Sequence, residues 1–310
     1  MQFSFIRSGL AEKRDEAIVV ACDSSGTVLH ESGDVSMPMY YRSTIKPLQA
    51  EACLEAGLDL PDEHLALVCA SHGGYPAHLA IVRKILTDAG LDETALRCTP
   101  DWPFTAAARH LMIARGHRKP RPLFHNCSGK HAGMLAACVA AGWPTDGYLE
   151  LEHPLQVRSA EIITETTGVE STPAGVDGCG APAFRGNLVG LATAFAKISV
   201  EPRFAQVPRA MARFPALVAD NVRPDGRLGL WWGGPAKVGA AGVMALGRSG
   251  IGIATKSVPG SATVAVAAVI TAASQLGMLT TAMSNALEDE AAPPVLGGGH
   301  RVGTLVGTET

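Results

Sequence analysis

The sequence predicts an α+β fold, an antiparallel sheet built from both termini with helices packed on it. Three observations carry that expectation. Strand-like stretches lie near each end of the chain, amphipathic helical patterns fill the middle, and no internal repeat or long linker divides the 310 residues. The length suits one domain over 1–310 with a substantial core, and within it residues of about 61–200 would form a helical subdomain.

The elements follow in order. Ala17–Cys22 and Thr27–His30 flank the turn Asp23-Ser24-Ser25-Gly26, which predicts a hairpin. Helical patterns then run over about 44–56, 61–70, 76–88, 104–115, 129–141 and 154–167, separated by Gly or Pro. Three of them end on Ala-Gly, at Gly57, Gly90 and Gly142, as expected of glycine caps. Residues 187–198 and 203–218 are helical in pattern too. Val238–Leu246 and Gly252–Ser257 alternate as strands do. The Ala-rich stretch from Ser261 to Leu279 is a helix, and Arg301–Val306 a last strand after the loop 297–300.

Composition excludes several classes of function. With 47% hydrophobic and 18% charged residues the chain is globular and not disordered. A net charge of −3 without a basic block gives nucleic acid and anionic membranes nothing to bind. The stretch 261–279 is broken by Ser, Thr and Gln, so it predicts a buried helix and no membrane span. Arg7, Lys13 and Arg14 precede any apolar run, which argues against a signal peptide, and seven cysteines without one predict reduced thiols in the cytoplasm.

Arg42-Ser43-Thr44-Ile45-Lys46-Pro47 holds the most specific chemistry. Three residues apart on a helix, the Ser43 hydroxyl and Lys46 amine share a face, so the amine can activate the hydroxyl without a histidine. Pro47 is tolerated only in a first helical turn, which places Ser43 at or beside a helix N-terminus, where negative charge is favoured. A helix-capping serine followed by an exposed lysine is the alternative. Ala70-Ser71-His72-Gly73-Gly74 adds a second serine whose glycines suit a backbone approaching a ligand, or else simply stop a helix. His125-Asn126-Cys127-Ser128-Gly129-Lys130-His131 is no phosphate loop, since Phe124 and His131 occupy positions that would need Gly and Ser or Thr. Cys127 and Lys130 instead have metal-ligand spacing. Gly175-Val176-Asp177-Gly178-Cys179-Gly180 presents a carboxylate and a thiol in a turn, and the absence of any Cys-x-x-Cys pair excludes a zinc finger.

Taken together, YYRSTIKPLQA, ASHGG, HNCSGKHAGML, EHPLQ and GVDGCGAPAF resemble the asparaginase II family, the rhizobial-type thermolabile L-asparaginases, over residues of about 5–285. The resemblance implies a fold like that of serine β-lactamases and glutaminases, hydrolysis of L-asparagine to L-aspartate and ammonia, and a homodimer. It implies two Ser–Lys pairs: Ser43 with Lys46, and Ser71 with a lysine of the C-terminal sheet, for which Lys256 is the first choice and Lys237 the competitor. It also implies a Zn2+ site on Cys127, Lys130 and Cys179 that is structural or orients substrate. Asp177, Arg42 and His131 are then candidate substrate contacts: Asp177 for the α-ammonium or a metal-bound water, Arg42 for the α-carboxylate. The chain departs from the family pattern at Ala241, often acidic in members, and at 297–300, Gly-Gly-Gly-His where Asn is usual.

These groups imply an acyl-enzyme route in which Ser43 attacks the amide carbon and Lys46, with its pKa depressed from about 10.4, is general base. Ser71 either relays the proton between lysines or is itself the nucleophile. Two rivals share the residues: a penicillin-recognising acylase or β-lactamase, and a binding protein that keeps an amino-acid pocket without turnover.

Overall fold

The computed structural model describes residues 1–308. Eight strands form one antiparallel sheet: β1 (Gln2–Arg7), β2 (Leu10–Asp23), β3 (Val28–Ser32), β4 (Ala236–Gly239), β5 (Val243–Arg248), β6 (Ile251–Ser257), β7 (Pro294–Gly297) and β8 (His300–Thr308). Their order is β7-β8-β1-β2-β6-β5-β4, with β3 also on β2. The N- and C-terminal strands therefore lie side by side, Gln2 opposite Thr308 and Arg7 opposite Gly303.

The long strand β2 explains the layering. Residues 17–22 are apolar without interruption because both faces of the sheet are covered there. Ile18, Val20 and Cys22 enter one core, and Ala17, Val19 and Ala21 the other. The first core holds α1 (Lys46–Glu55), α2 (Asp62–Val68), α3 (Pro76–Asp88), α4 (Ala106–Ala114), α5 (Ser128–Ala141), α6 (Pro154–Thr167), α7 (Leu188–Ile198), α8 (Gln206–Arg213) and α9 (Pro215–Val218). The second lies under α11 (Ala262–Gln275), with α10 (Pro224–Trp232) at its edge. Glycines let α7 sit on the sheet, since a Cβ at Gly247 or Gly252 would collide with the carbonyls of Phe195 and Ala192.

The expected architecture is present, with differences at its margins. β1 and the exposed half of β2 precede the predicted hairpin; their polar alternation lacks the apolar run that marks a buried strand. Residues 297–300 are not a simple loop but a tight turn through Gly298 and Gly299, φ +58° and +84°, joining β7 to β8. The stretch 238–246 is two strands, parted by a turn in which Ala241 has φ +60° and Gly242 +70°. Pro215 divides the helix expected over 203–218. α10 was not anticipated, although Pro224 at its start and left-handed Gly233 at its end follow the usual helix boundary chemistry. Gly57, Gly90 and Gly142 stand just past their helices at φ +92°, +72° and +69°. No helix among the described residues is long and apolar enough to cross a membrane.

One close contact positions the chemistry. α5 begins against the last turn of α2, and a Cβ on Gly129 would lie 2.5 Å from the Leu67 carbonyl oxygen, one on Gly133 2.7 Å from Val68. Gly129 is thus a packing glycine. Gly129→Ala is expected to destabilise by about 1–3 kcal/mol through overpacking, read as a fall in denaturant midpoint with unchanged slope.

Candidate active site

Ser43 lies in a 3-10 turn, Arg42–Ile45, that runs directly into α1. Lys46 opens α1 and Pro47 follows within the first turn, where a missing N–H costs nothing. Arg42 adopts φ +54°, a left-handed conformation uncommon for a side-chain-bearing residue, and turns the chain into this corner. Ser43 is half-buried at the cavity wall, whereas Lys46 is 1% exposed. Lys46 Nζ does not end in solvent; it donates to the Ala70 carbonyl at 2.5 Å and to Ser71 Oγ at 3.0 Å.

Ser71 follows α2, with its amide on the Val218 carbonyl (3.0 Å) and the next amide, His72, on that of Asn126 (3.1 Å). Its glycines serve the protein and not a ligand: a Cβ on Gly73 would lie 2.9 Å from Asp220 Oδ2, and one on Gly74, at φ +83°, 2.7 Å from Pro103. On its far side Ser71 Oγ meets Lys237 Nζ at 2.9 Å, and that amine also donates to the Val238 carbonyl at 2.7 Å. The expectation for Lys256 is thereby corrected. Its Nζ bonds the Ala241 and Ser257 carbonyls, both at 2.6 Å, away from Ser71, and the lysine brought to Ser71 is Lys237. Burial, aided by the neighbouring charge of Lys46, pushes the Lys237 amine well below the ordinary lysine range.

Ser43 and Ser71 line one cavity of about 280 Å³, near the lower end of small-molecule sites. Asn126, Arg223 and Asp225 complete its polar side, with the Phe104 ring beside them. Its other wall is small and apolar, from Val238 through Gly242 with Gly260, Ala262 and Val266. The larger groove along α6, about 750 Å³, holds none of the serines or lysines above.

Cys127, Lys130, His131 and Cys179 form a second, buried cluster. Lys130 Nζ lies 3.4 Å from Cys179 Sγ. Cys127 Sγ donates to Asn126 Oδ1 at 2.9 Å. The neighbouring Cys127 thiol holds Cys179 far below the ordinary thiol range against the cost of burial, with the Lys130 charge assisting. Burial opposes the charge on Lys130, yet Cys179 and Cys127 raise its pKa above the ordinary value. His131 Nδ1 pairs with the Tyr148 hydroxyl at 2.7 Å; its Nε2 has no hydrogen-bond partner, and burial lowers its pKa to about 4. Asp177 and Arg42 face each other, with Arg42 Nη2 2.7 Å from Asp177 Oδ1, and neither lines the cavity. Asp177 Oδ2 is 4.0 Å from Cys179 Sγ. Among the described residues no group of three or more His, Cys, Asp or Glu is arranged to hold a metal ion, so a site here depends on Lys130 as the nitrogen donor.

Residues 3–306 match the L-asparaginase II family over nearly the whole chain. The chain belongs to the L-asparaginase II family. Membership supports an amidohydrolase activity. No curated protein matches the chain. Among solved structures, this L-asparaginase II chain is similar to the native form of a protein called Mglu, at 15% identity and a TM-score of 0.46, over 86% of this chain and 65% of that one. A β-lactamase from Mycobacterium bovis is similar at 16% identity and TM-score 0.46, over 85% and 95% of the two chains. A Bacillus glutaminase is similar at 13% and 0.38, over 85% and 91%. The chain spans about two thirds of the length of Mglu.

Three cavity residues of this L-asparaginase II chain carried no functional signal in the sequence. Asn126 lies inside a motif dominated by its neighbours. Arg223 and Asp225 flank Pro224 at the start of the unanticipated α10, where a charged pair is otherwise an ordinary helix opening.

Proposed function

We propose that the chain hydrolyses L-asparagine to L-aspartate and ammonia through an ester on Ser43, with Ser71 relaying protons between Lys46 and Lys237. One observation carries the reading: Ser71 Oγ lies between two buried amines, at 3.0 and 2.9 Å, below a cavity sized for an amino acid. Two like charges at that separation repel, and Lys237 is the member held low, so it is the amine able to accept a proton. A proton passed from Lys46 through Ser71 to Lys237 leaves Lys46 a free amine on the turn that carries Ser43. Lys46 then takes the Ser43 proton as Ser43 attacks the side-chain amide carbon. The leaving amine draws its proton back through Ser71, and water cleaves the ester by the reverse shuttle.

The oxyanion is assigned to the Ser43 amide, which lies at the start of its turn where N–H groups lack intrahelical partners. The end of β4 packs on the same spot, for a Cβ on Gly239 would lie 3.1 Å from the Tyr41 carbonyl and 3.3 Å from the Thr44 amide. A second reading makes Ser71 the nucleophile, favoured by its contact with both lysines. Ser43 ranks first because Ser71 is 7% exposed and held at both lysines, whereas Ser43 borders the cavity more openly. Ammonia release from asparagine, compared with glutamine and with β-lactam opening, tests the substrate. β-Lactam turnover without ammonia would overturn the reading in favour of an acylase.

Cys127, Lys130 and Cys179 fit Zn2+ as two sulfurs, which are ordinary zinc donors, and an amine, a rare one that must first lose its proton, gathered in one buried spot. Bound there, the ion would supply a Lewis acid and orient the polar end of a substrate. The ligands compete with protons, so metal would be lost at low pH. Cys179→Ser is expected to lower the zinc content measured by elemental analysis; an unchanged stoichiometry would refute this ligand set. The reading also includes a homodimer in the cytoplasm, supported by the family resemblance and the thiol-rich composition alone.

A further inference from the structure

Asp225 stands out among groups the mechanism leaves unused. It is 7% exposed, lines the cavity beside Ser43 and Ser71, and its Oδ2 accepts no hydrogen bond. Among the described residues its one ion pair is a loose one, from Arg223 Nη2 to that same Oδ2 at 3.6 Å. That guanidinium is committed elsewhere: Nη2 donates to the Ser71 carbonyl at 2.7 Å, and Nε to that of Ala219 at 2.9 Å. A buried carboxylate oxygen without a donor costs free energy, and such a group is retained where a ligand supplies the donor. Asp177, the other candidate for that task, is already satisfied by Arg42 at 2.7 Å and stands outside the cavity.

We propose that Asp225 is the receptor for the substrate's α-ammonium, so that the site selects carboxamides bearing a free primary ammonium. The inference rests on the hydrolase reading for its substrate class and names the subsite that reads the amino group. An ammonium has three donors and no acceptor, which suits a carboxylate that lines the cavity and holds only a loose ion pair. Asp225 also acts electrostatically on Lys237, raising its pKa against the effect of burial. A role confined to that lysine is the competing account, and it makes a different forecast.

The test is binding of L-aspartate and of succinate, which lacks only the ammonium, by titration calorimetry to the full chain. The wild type is expected to prefer L-aspartate by about tenfold or more, the scale of one hydrogen bond to a charged group. Asp225→Asn should reduce that preference to about threefold or less by weakening L-aspartate alone, and Asp225→Glu should restore part of it. Asp177→Asn should leave the preference as it is. No preference in the wild type overturns the proposal without any variant having to fold. Equal weakening of both ligands by Asp225→Asn overturns it in favour of the Lys237 role. Loss of preference in Asp177→Asn overturns it in favour of Asp177. Because no turnover is needed, a chain that discriminates the ammonium yet releases no ammonia would refute the hydrolase reading and leave this subsite standing.

Discussion

Ser43→Ala is expected to lower asparagine turnover by about 10⁴-fold or more, the scale on which serine hydrolases lose activity with their nucleophile. The fold should not notice. Ser43 is half-buried at a cavity wall, so its truncation leaves no core void, and the melting temperature should move by no more than about 2 °C. Ser71→Ala gives a smaller loss, about 10²–10³-fold, because it removes the relay and leaves the attacking group. Mass analysis of a quenched reaction in the Ser71→Ala background should find the aspartyl ester on the peptide containing Ser43. An ester on the Ser71 peptide of the wild type, or substantial turnover by Ser43→Ala, would exchange the roles of the two serines.

Lys237→Met should cost about 10²–10⁴-fold in kcat/KM, the usual contribution of a positioned proton carrier, and should flatten the acidic limb of the pH profile. In the wild type activity should rise with pH, because the relay needs Lys237 as the free amine. The same substitution carries a thermodynamic signature of opposite value to the enzyme. Burial lowers the folded-state pKa of Lys237, so between that pKa and the unfolded value of about 10.4 the unfolded chain binds one proton more. Stability of the wild type should therefore climb with pH across that window, and the climb should vanish in Lys237→Met. Near neutral pH the variant escapes the penalty of a discharged lysine, though it leaves the Val238 carbonyl without its donor. Chemical denaturation at several pH values measures both slopes. A wild-type stability that is flat between neutrality and pH 10 would mean Lys237 keeps its proton, and the relay would have to run through Lys46 alone.

Local spacing made much of this site legible. Ser43 and Lys46, and Cys127 and Lys130, are one helical turn apart, and a turn is fixed by the sequence itself. The choice between Lys237 and Lys256 was not legible, for a definite reason. Lys237 is registered opposite Ala245 and Lys256 opposite Val243, and Ala245 and Val243 are two residues apart on β5. Paired residues share a face, so both lysines project from the same side of the sheet. Alternation therefore cannot separate them. What separates them is lateral position: β4 passes beside the Ser43 turn, and Lys256 lies two strands further over on β6, across from Ile18. Position across a sheet is set by strand order, which no single strand encodes. The strands around residues 2–16 and 294–300 were illegible for a simpler reason, since one or both faces meet solvent and the apolar signal thins. Arg223 and Asp225 belong to neither case: their importance comes only from the cavity into which α10 carries them.

The partners of Ser71 also set the order in which this molecule can become an enzyme. Lys46 is 25 residues away along the chain, Arg223 152 and Lys237 166. The entropy of closing those loops must be met before any of the long-range contacts returns free energy. The helices can therefore collapse around Ser43 and Lys46 while Ser71 still lacks its second amine. On a ribosome, the chain emerges with Ser71 166 residues ahead of Lys237, and under the proposed relay it stays inert until the last third of the sequence has been made and laid into the sheet.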